Sequence, residues 1–285
     1  MDIQHAKSTP PGASKGVWED AQAYELYIGR WGRVASREFV SWLAPPSRLK
    51  WLDVGCGTGA LSEAIVDTAP ESVTAVDRSD GYLALARKMI PGAGVTFLTG
   101  DAQDLQFPDT SFDATVSASM LNFLADPPRA AREMCRVTRS GGRVAAYIWD
   151  YAEGMQFLRA IWAVAFKLDP EAIKHDEGHR SSIRTIDDMA NLFAACDLTQ
   201  LETRKIQIPT RFANFDAYWK PFLGGQGTVS SYVCRLSSEL REELKEGVRR
   251  ALPTAADGSI HLTAQALAVR ARRPQARLGV RPLRS

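Results

Sequence analysis

Cysteine, histidine and long apolar runs are all scarce in this chain, and each scarcity excludes something. The four cysteines, Cys56, Cys135, Cys196 and Cys234, lie far apart and form no CxxC pair. The four histidines, His5, His175, His179 and His261, make no HExxH, and none stands at zinc-ligand spacing from a cysteine. A disulfide framework and a structural zinc site are therefore not expected, and a reducing cytoplasm fits. No apolar run approaches the roughly 20 residues that span a bilayer. The polar opening MDIQHAKSTPPGASKG lacks the apolar centre of a signal peptide. Charge of one sign is missing too: the net charge is only +2, so no field argues for nucleic acid or an anionic membrane. There is no basic aromatic face of the kind that reads RNA. Nothing in the sequence indicates an oligomeric state.

What is present is an ordinary globular composition, with 45% hydrophobic and 24% charged residues over 285 positions. That length suffices for one large core, or one domain with a substantial insertion. Residues 1–16 read as a disordered leader rich in Pro, Gly, Ser and Lys. Residues 272–285 read as a frayed basic tail, with Arg272, Arg273, Arg277, Arg281 and Arg284 among prolines.

Between them the pattern alternates. Apolar positions from Trp18 to Leu43 predict one or two amphipathic helices, stopped by Pro45 and Pro46. Strands are predicted at Lys50–Val54, Ser72–Val76, Val95–Thr99, Phe112–Ser117 and Arg143–Trp149. Helices are predicted at Gly59–Asp67, at Asp80–Ile90 with Asp80 as N-cap, and at Pro127–Val137. Gly141 and Gly142 are expected to turn the chain into the fifth strand. This alternation implies an α/β fold with a parallel sheet covered on both faces. Further on, helices are expected at Met155–Leu168 and Thr185–Ala195, and strands at Gln200–Ile208 and Ser259–Arg270. Residues 209–257 then read as a helical lid inserted within the sheet topology.

The strongest local signal is Leu52-Asp53-Val54-Gly55-Cys56-Gly57-Thr58-Gly59-Ala60, directly after a predicted strand. Glycines there make a tight turn and let backbone N–H groups approach a ligand. Taken alone, the run is ambiguous. Gly55, Gly57 and Ala60 satisfy a loose dinucleotide fingerprint, and Asp77 stands at the distance of a ribose-binding acid. Three features argue against a pyrophosphate ligand. Asp53 precedes the first glycine by two residues, where a carboxylate suits an ammonium and repels a phosphate. Gly100-Asp101-Ala102 follows the third strand, where an acid accepts from an adenine amino group. The parallel run also lacks a second nucleotide-binding half.

LDVGCGTG, the strand-end acid in VTAVDRS, GDAQDLQFPDTSFDATVSA and RVTRSGGRVAAYIWD together resemble class I S-adenosyl-L-methionine-dependent methyltransferases, in particular the ubiquinone/menaquinone-type small-molecule group. The resemblance covers about residues 17–150. It implies a Rossmann-like, seven-stranded, mostly parallel sheet with helices on both faces and one antiparallel strand. It implies a methyltransferase domain over 17–271, with cap helices at 17–45. It places Gly55, Gly57 and Gly59 along the methionine part of S-adenosyl-L-methionine, with Cys56 and Thr58 as loop contacts. Asp77 would bind the ribose hydroxyls, with Arg78 and Ser79 flanking. Asp101 and Ala102 would meet the adenine edge, Ala118 the region of the sulfonium, and Asp53 the amino acid end. Tyr24, Tyr27, Arg30 and Trp31 would lie in an N-terminal segment folded over the cofactor, with Tyr24 and Arg30 as its contacts; ordinary amphipathic helix packing is the alternative for all four.

The activated sulfonium makes a general base necessary only for a protonated acceptor, so the missing catalytic motif does not count against this reading. No catalytic residue and no metal ligand is assigned. The acceptor is expected to be a small molecule met by Asn122, Trp219 and Phe222. The lid aromatics Phe212, Phe215, Tyr218, Trp219 and Phe222 also have the three-and-four spacing of a simple packing face. His175, Asp176, Glu177 and His179 look like a metal or acid–base cluster, and read more simply as a charged surface loop. Two alternatives stand beside the enzyme: a non-catalytic regulator that binds the same cofactor, and a nicotinamide-dependent oxidoreductase.

Overall fold

A computed structural model describes residues 21–275 except Ala93 and Gln226. The leader at 1–16 and residues 276–285 of the basic tail lie outside the described residues. Seven strands form one sheet: β1 Lys50–Val54, β2 Ser72–Asp77, β3 Val95–Thr99, β4 Phe112–Ala118, β5 Thr138–Trp149, β6 Thr199–Phe212 and β7 Ile260–Arg272. Their order across the sheet is β3-β2-β1-β4-β5-β7-β6. The pairs among β1 to β5 are parallel, and β7 runs antiparallel to both its neighbours. The sheet implied by the resemblance is the sheet found.

The helices are α1 Ala21–Tyr24, α2 Arg30–Leu43, α3 Ala60–Val66, α4 Asp80–Met89, α5 Pro127–Val137, α6 Gln156–Leu168, α7 Glu177–Arg180, α8 Ile186–Ala194, α9 Phe215–Trp219, α10 Gly227–Arg235 and α11 Ser238–Ala251. A π-helical turn, Glu25–Gly29, joins α1 to α2. Alternate residues along each strand face opposite sides. Trp51, Val116, Tyr147 and Trp149 pack on one side with α2, α3 and α6. Leu52, Val54, Val144 and Ile148 pack on the other with α5 and α8. Burial on both faces is why these strands read as apolar runs with little polar alternation.

Capping explains several boundaries. The Asp126 carboxylate accepts from Arg129 N–H at 3.0 Å, and prolines fill the first positions of α5. Thr185 and Asp188 close a reciprocal capping box at α8. The cap of α4 is Ser79, whose hydroxyl accepts from Tyr82 N–H at 3.3 Å, and not Asp80. Asp80 instead accepts from the Thr99 hydroxyl at 2.6 Å, tying α4 to β3. Gly141 and Gly142 do not precede the fifth strand. They lie inside it, where its register with β4 shifts between Phe112 and Ala114. β6 runs four residues past the predicted end, through Phe212, because β7 supplies a partner as far as Ile260. Among the described residues, no helix is long and apolar enough to cross a membrane.

Candidate active site

The ends of β1, β2, β3 and β4 open together onto one cleft. This is where ligands sit in open α/β sheets, beyond the carboxyl ends of the strands. Its walls include Gly55, Cys56, Gly57 and Thr58 after β1 and Asp77, Arg78 and Ser79 after β2. Asp101 and Ala102 follow β3, and Ala118, Ser119 and Met120 follow β4. Tyr24, Ile28 and Gly32 cover it from the N-terminal side.

The glycine loop is pinned by its backbone. Gly55 N–H and Cys56 N–H both donate to Val76 O, at 2.7 and 3.0 Å. Gly55 has φ of 73° and Gly57 has φ of 53°, a region that side chains disfavour. A Cβ on Gly55 would strike Met120 at 2.4 Å, whereas a Cβ on Gly57 would point into open cleft. Asp77 spans this loop: it accepts from Gly57 N–H at 2.9 Å through Oδ2, and from Ser79 N–H at 2.9 Å through Oδ1. Burial pushes its carboxyl above the ordinary range, and those two backbone donors pull it back.

Several expected residues lie off the cleft. Asp53 sits beneath the glycine loop, fully buried, and accepts from the Ser62 hydroxyl at 2.7 Å. Burial raises its carboxyl to about 7. Gly59 begins α3, packed toward Ile90. Arg30 turns away: the spacing of four puts Tyr24, Ile28 and Gly32 on one helical face, and Arg30 falls between them. Its guanidinium stacks 4.4 Å from the Trp31 ring centroid and 5.2 Å from that of Phe212. Asn122 is half-buried in the 3-10 turn Leu121–Phe123, while its neighbours Met120, Phe123 and Leu124 line the cleft. Trp219 stacks on Phe215, and Phe222 packs edge-on to Tyr27 at 5.6 Å. Both belong to the packed core, as the spacing of the lid aromatics had allowed. Cys56 is buried, and its thiol is pushed well up by desolvation, so it is no nucleophile.

Other groups at the site had no sequence motif to announce them. Arg33 bridges Glu25, at 3.1 Å, and Glu63, while the Thr58 hydroxyl donates to Glu25. This network clamps the N-terminal segment onto the glycine loop. Ser119 holds φ of 54°, unusual for a non-glycine residue, and its N–H donates to Tyr147 O at 2.8 Å. Tyr147, Trp149 and Tyr151 follow one another along the cleft's far wall. Burial raises the Tyr147 phenol to about 12, opposed by its bond to Ser36 at 2.9 Å.

The HDEGH run is not a surface loop. Asp176 is fully buried and binds Arg159 through both oxygens, at 2.7 and 2.8 Å, and His179 Nδ1 at 2.7 Å. Glu177 is buried beside it, with no cation paired to it among the described residues. One oxygen accepts from Thr228 N–H at 3.3 Å, and Oε2 has no hydrogen-bond partner among the described residues. Burial, with Asp176 adding, raises the Glu177 carboxyl to about 7. Next to it, Gly178 presses on the backbone of Tyr151, where a Cβ would lie 2.6 Å from Tyr151 O. Gly178→Ala is expected to cost about 1–3 kcal/mol by overpacking. A urea midpoint equal to that of the parent would show that the backbone yields there at no cost.

With this geometry in place, known proteins can be compared. Residues 52–146 match a family model described as a methyltransferase domain. A rice 2-methyl-6-phytyl-1,4-hydroquinone methyltransferase 2 is 44% identical over 96 residues, 33% of this chain and 28% of that protein. A demethylmenaquinone methyltransferase of Paenarthrobacter aurescens is 35% identical over 133 residues, 43% of this chain and 51% of that protein. The chain thus spans about a quarter to a half of the length of these relatives. A Haemonchus contortus phosphoethanolamine N-methyltransferase 2, solved with S-adenosyl-L-methionine, shares the fold at 18% identity and a TM-score of 0.56. That likeness covers 90% of this chain and 57% of that one. The match ends inside β5, so Trp149, Tyr151 and everything beyond them lie outside the matched segment.

Proposed function

We propose that this chain is an S-adenosyl-L-methionine-dependent methyltransferase whose acceptor is a small molecule with an aromatic, quinol-type ring. The observation that carries the reading is Asp77. Its carboxylate stands at the end of β2, at the cleft, holding the glycine loop by a 2.9 Å bond and retaining free lone pairs on both oxygens. A vicinal diol suits that arrangement. The open space beside Gly57 fits a ligand drawn close to the backbone. S-adenosyl-L-methionine, when bound, supplies an activated methyl group on a sulfonium.

The residues here have the remaining work. Asp77 holds the ribose, flanked by Arg78 and Ser79, and Asp101 and Ala102 meet the adenine edge. Gly55, Cys56, Gly57 and Thr58 border the methionine part, and Ala118 lies beside the reacting centre. Tyr24 and Ile28 close over it and exclude water. Asp53 supports the loop from below. Holding the reactants in line supplies several kcal/mol without any acid or base. Met120, Phe123, Trp149 and Tyr151 give an apolar and aromatic wall for the acceptor. The relatives are named for hydroquinone and menaquinone-type acceptors, which supports the same class. The segment between β6 and β7 is read as a lid that packs behind the N-terminal segment, where Phe222 meets Tyr27. We place the protein in a reducing cytoplasm, with neither nucleic acid nor membrane as its partner.

The test is calorimetric titration with S-adenosylhomocysteine, with NADH and NADPH in parallel. Saturable binding of the first alone is expected. Binding of a nicotinamide instead would return the glycine loop to the dinucleotide reading.

A further inference from the structure

Two of the four cysteines, separated in sequence, meet in the fold. Cys135 lies near the end of α5, almost wholly buried, and Cys196 lies just beyond α8, half-buried. The two thiols interact, each shifting the other's ionisation. Both line one surface cleft, together with Arg136, Ser140, Asp197 and Arg273. The remaining cysteines have no such company. Cys56 is buried within the glycine loop, and the exposed Cys234 sulfur faces the carbonyls of Phe222 and Leu223.

We propose that Cys135 and Cys196 form a dithiol site that reacts with low-molecular-weight disulfides and closes to an intramolecular disulfide. The asymmetry of the pair assigns the roles. Cys196 is the more accessible. Its thiol is held below the usual range by the Cys135 S–H and by Arg132, whereas Cys135 is held above it. A thiolate is the nucleophile in such exchange, so Cys196 attacks first. Its sulfur forms a bond to one sulfur of the external disulfide, and the other sulfur leaves as a thiolate. Cys135 then loses its proton to water, and its sulfur attacks that of Cys196. The second small thiolate leaves. One external disulfide is reduced to two thiols, and one protein disulfide is formed.

The bond would tie α5 to the segment entering β6. α5 directly follows the turn that carries Phe123 and Leu124 on the methyltransferase cleft, so this site adjoins that cleft through one helix. The chemistry of the pair does not depend on the identity of the methyl acceptor.

The experiment uses the full chain, reduced, desalted and incubated with oxidised glutathione at pH 8. Thiols are then alkylated and the intact mass is read. The parent should lose two alkylatable thiols and two hydrogens in mass, with a peptide map joining 135 to 196. Cys135→Ser should stop at a glutathione adduct on Cys196, and Cys196→Ser should give neither link nor adduct at 135. A circular dichroism melt confirms that each variant is folded, and the parent's own mass decides the matter if one is not. Free thiols at both 135 and 196, an adduct that persists on Cys196 of the parent, or a link through Cys56 or Cys234 would each overturn the proposal.

Discussion

Asp77→Ala should reduce S-adenosylhomocysteine affinity by roughly 100-fold or more while leaving the chain folded. The magnitude follows from hydrogen bonding to an ionised acceptor, worth about 1.5–3 kcal/mol per bond. Two ribose hydroxyls would be lost at once. The substitution also removes the acceptor for Gly57 N–H and for Ser79 N–H. The glycine loop would therefore be less well ordered before any ligand arrives. The two bonds from Gly55 and Cys56 to Val76 O would remain and keep the strand end in place. Asp77→Asn separates these effects, since one amide oxygen can still hold the loop but cannot match a carboxylate toward a diol. Calorimetry measures the affinity, and circular dichroism with a thermal melt checks the fold. Parent-like affinity in a folded Asp77→Ala protein would remove Asp77 from the cofactor site.

Glu177→Gln should change how stability depends on pH. The Glu177 carboxyl is raised from its ordinary 4.5 to about 7. Between those values the folded state keeps a proton that the unfolded state has released. Stability therefore falls as pH rises through that window and levels off above it. The full loss across the window is about 3 kcal/mol, since holding one extra proton costs about 1.4 kcal/mol for every pH step. Asp53 is raised to about 7 as well and contributes a slope of the same sign. The parent should thus melt lower at pH 8 than at pH 5, and Glu177→Gln should remove at most about half of that difference, with Asp53 and the likewise raised Asp77 accounting for the rest. Any fixed cost of placing an amide there is common to both pH values and cancels in the comparison. An unchanged pH dependence would mean that Glu177 reaches water in the folded protein.

These two residues mark where the sequence was legible and where it was not. Asp77 stands at a strand end a fixed distance after a glycine loop, and parallel register brings neighbouring strand ends together. Local spacing therefore sufficed to place Asp77 and Asp101 on one cleft. Glu177 sits in a run that is charged throughout, which by composition belongs outside. It is buried because Asp176 beside it finds Arg159, a partner supplied by α6. The lid aromatics were spaced for one helix face, but spacing does not say whether that face meets ligand or core. Arg30 was a matter of helical phase: Ile28, two residues earlier, is on the cleft. Cys135 and Cys196 looked unrelated because only the packing of α5 near α8 brings them together.

The position of β7 also bears on how the protein is made. β6 is synthesised before β7, yet among the described residues β7 is its only neighbour in the sheet. A nascent chain that has emerged only as far as α11 holds β6 without a strand to pair with, and leaves one edge of β5 bare. The aromatic wall formed by Tyr147 and Trp149 at the end of β5 is then missing its strand partners Ala268 and Ala266. Completion of the sheet must wait for the final strand to arrive between two others already present. During that interval two strand edges are open to pairing with other chains, a hazard that shorter-range strand orders avoid.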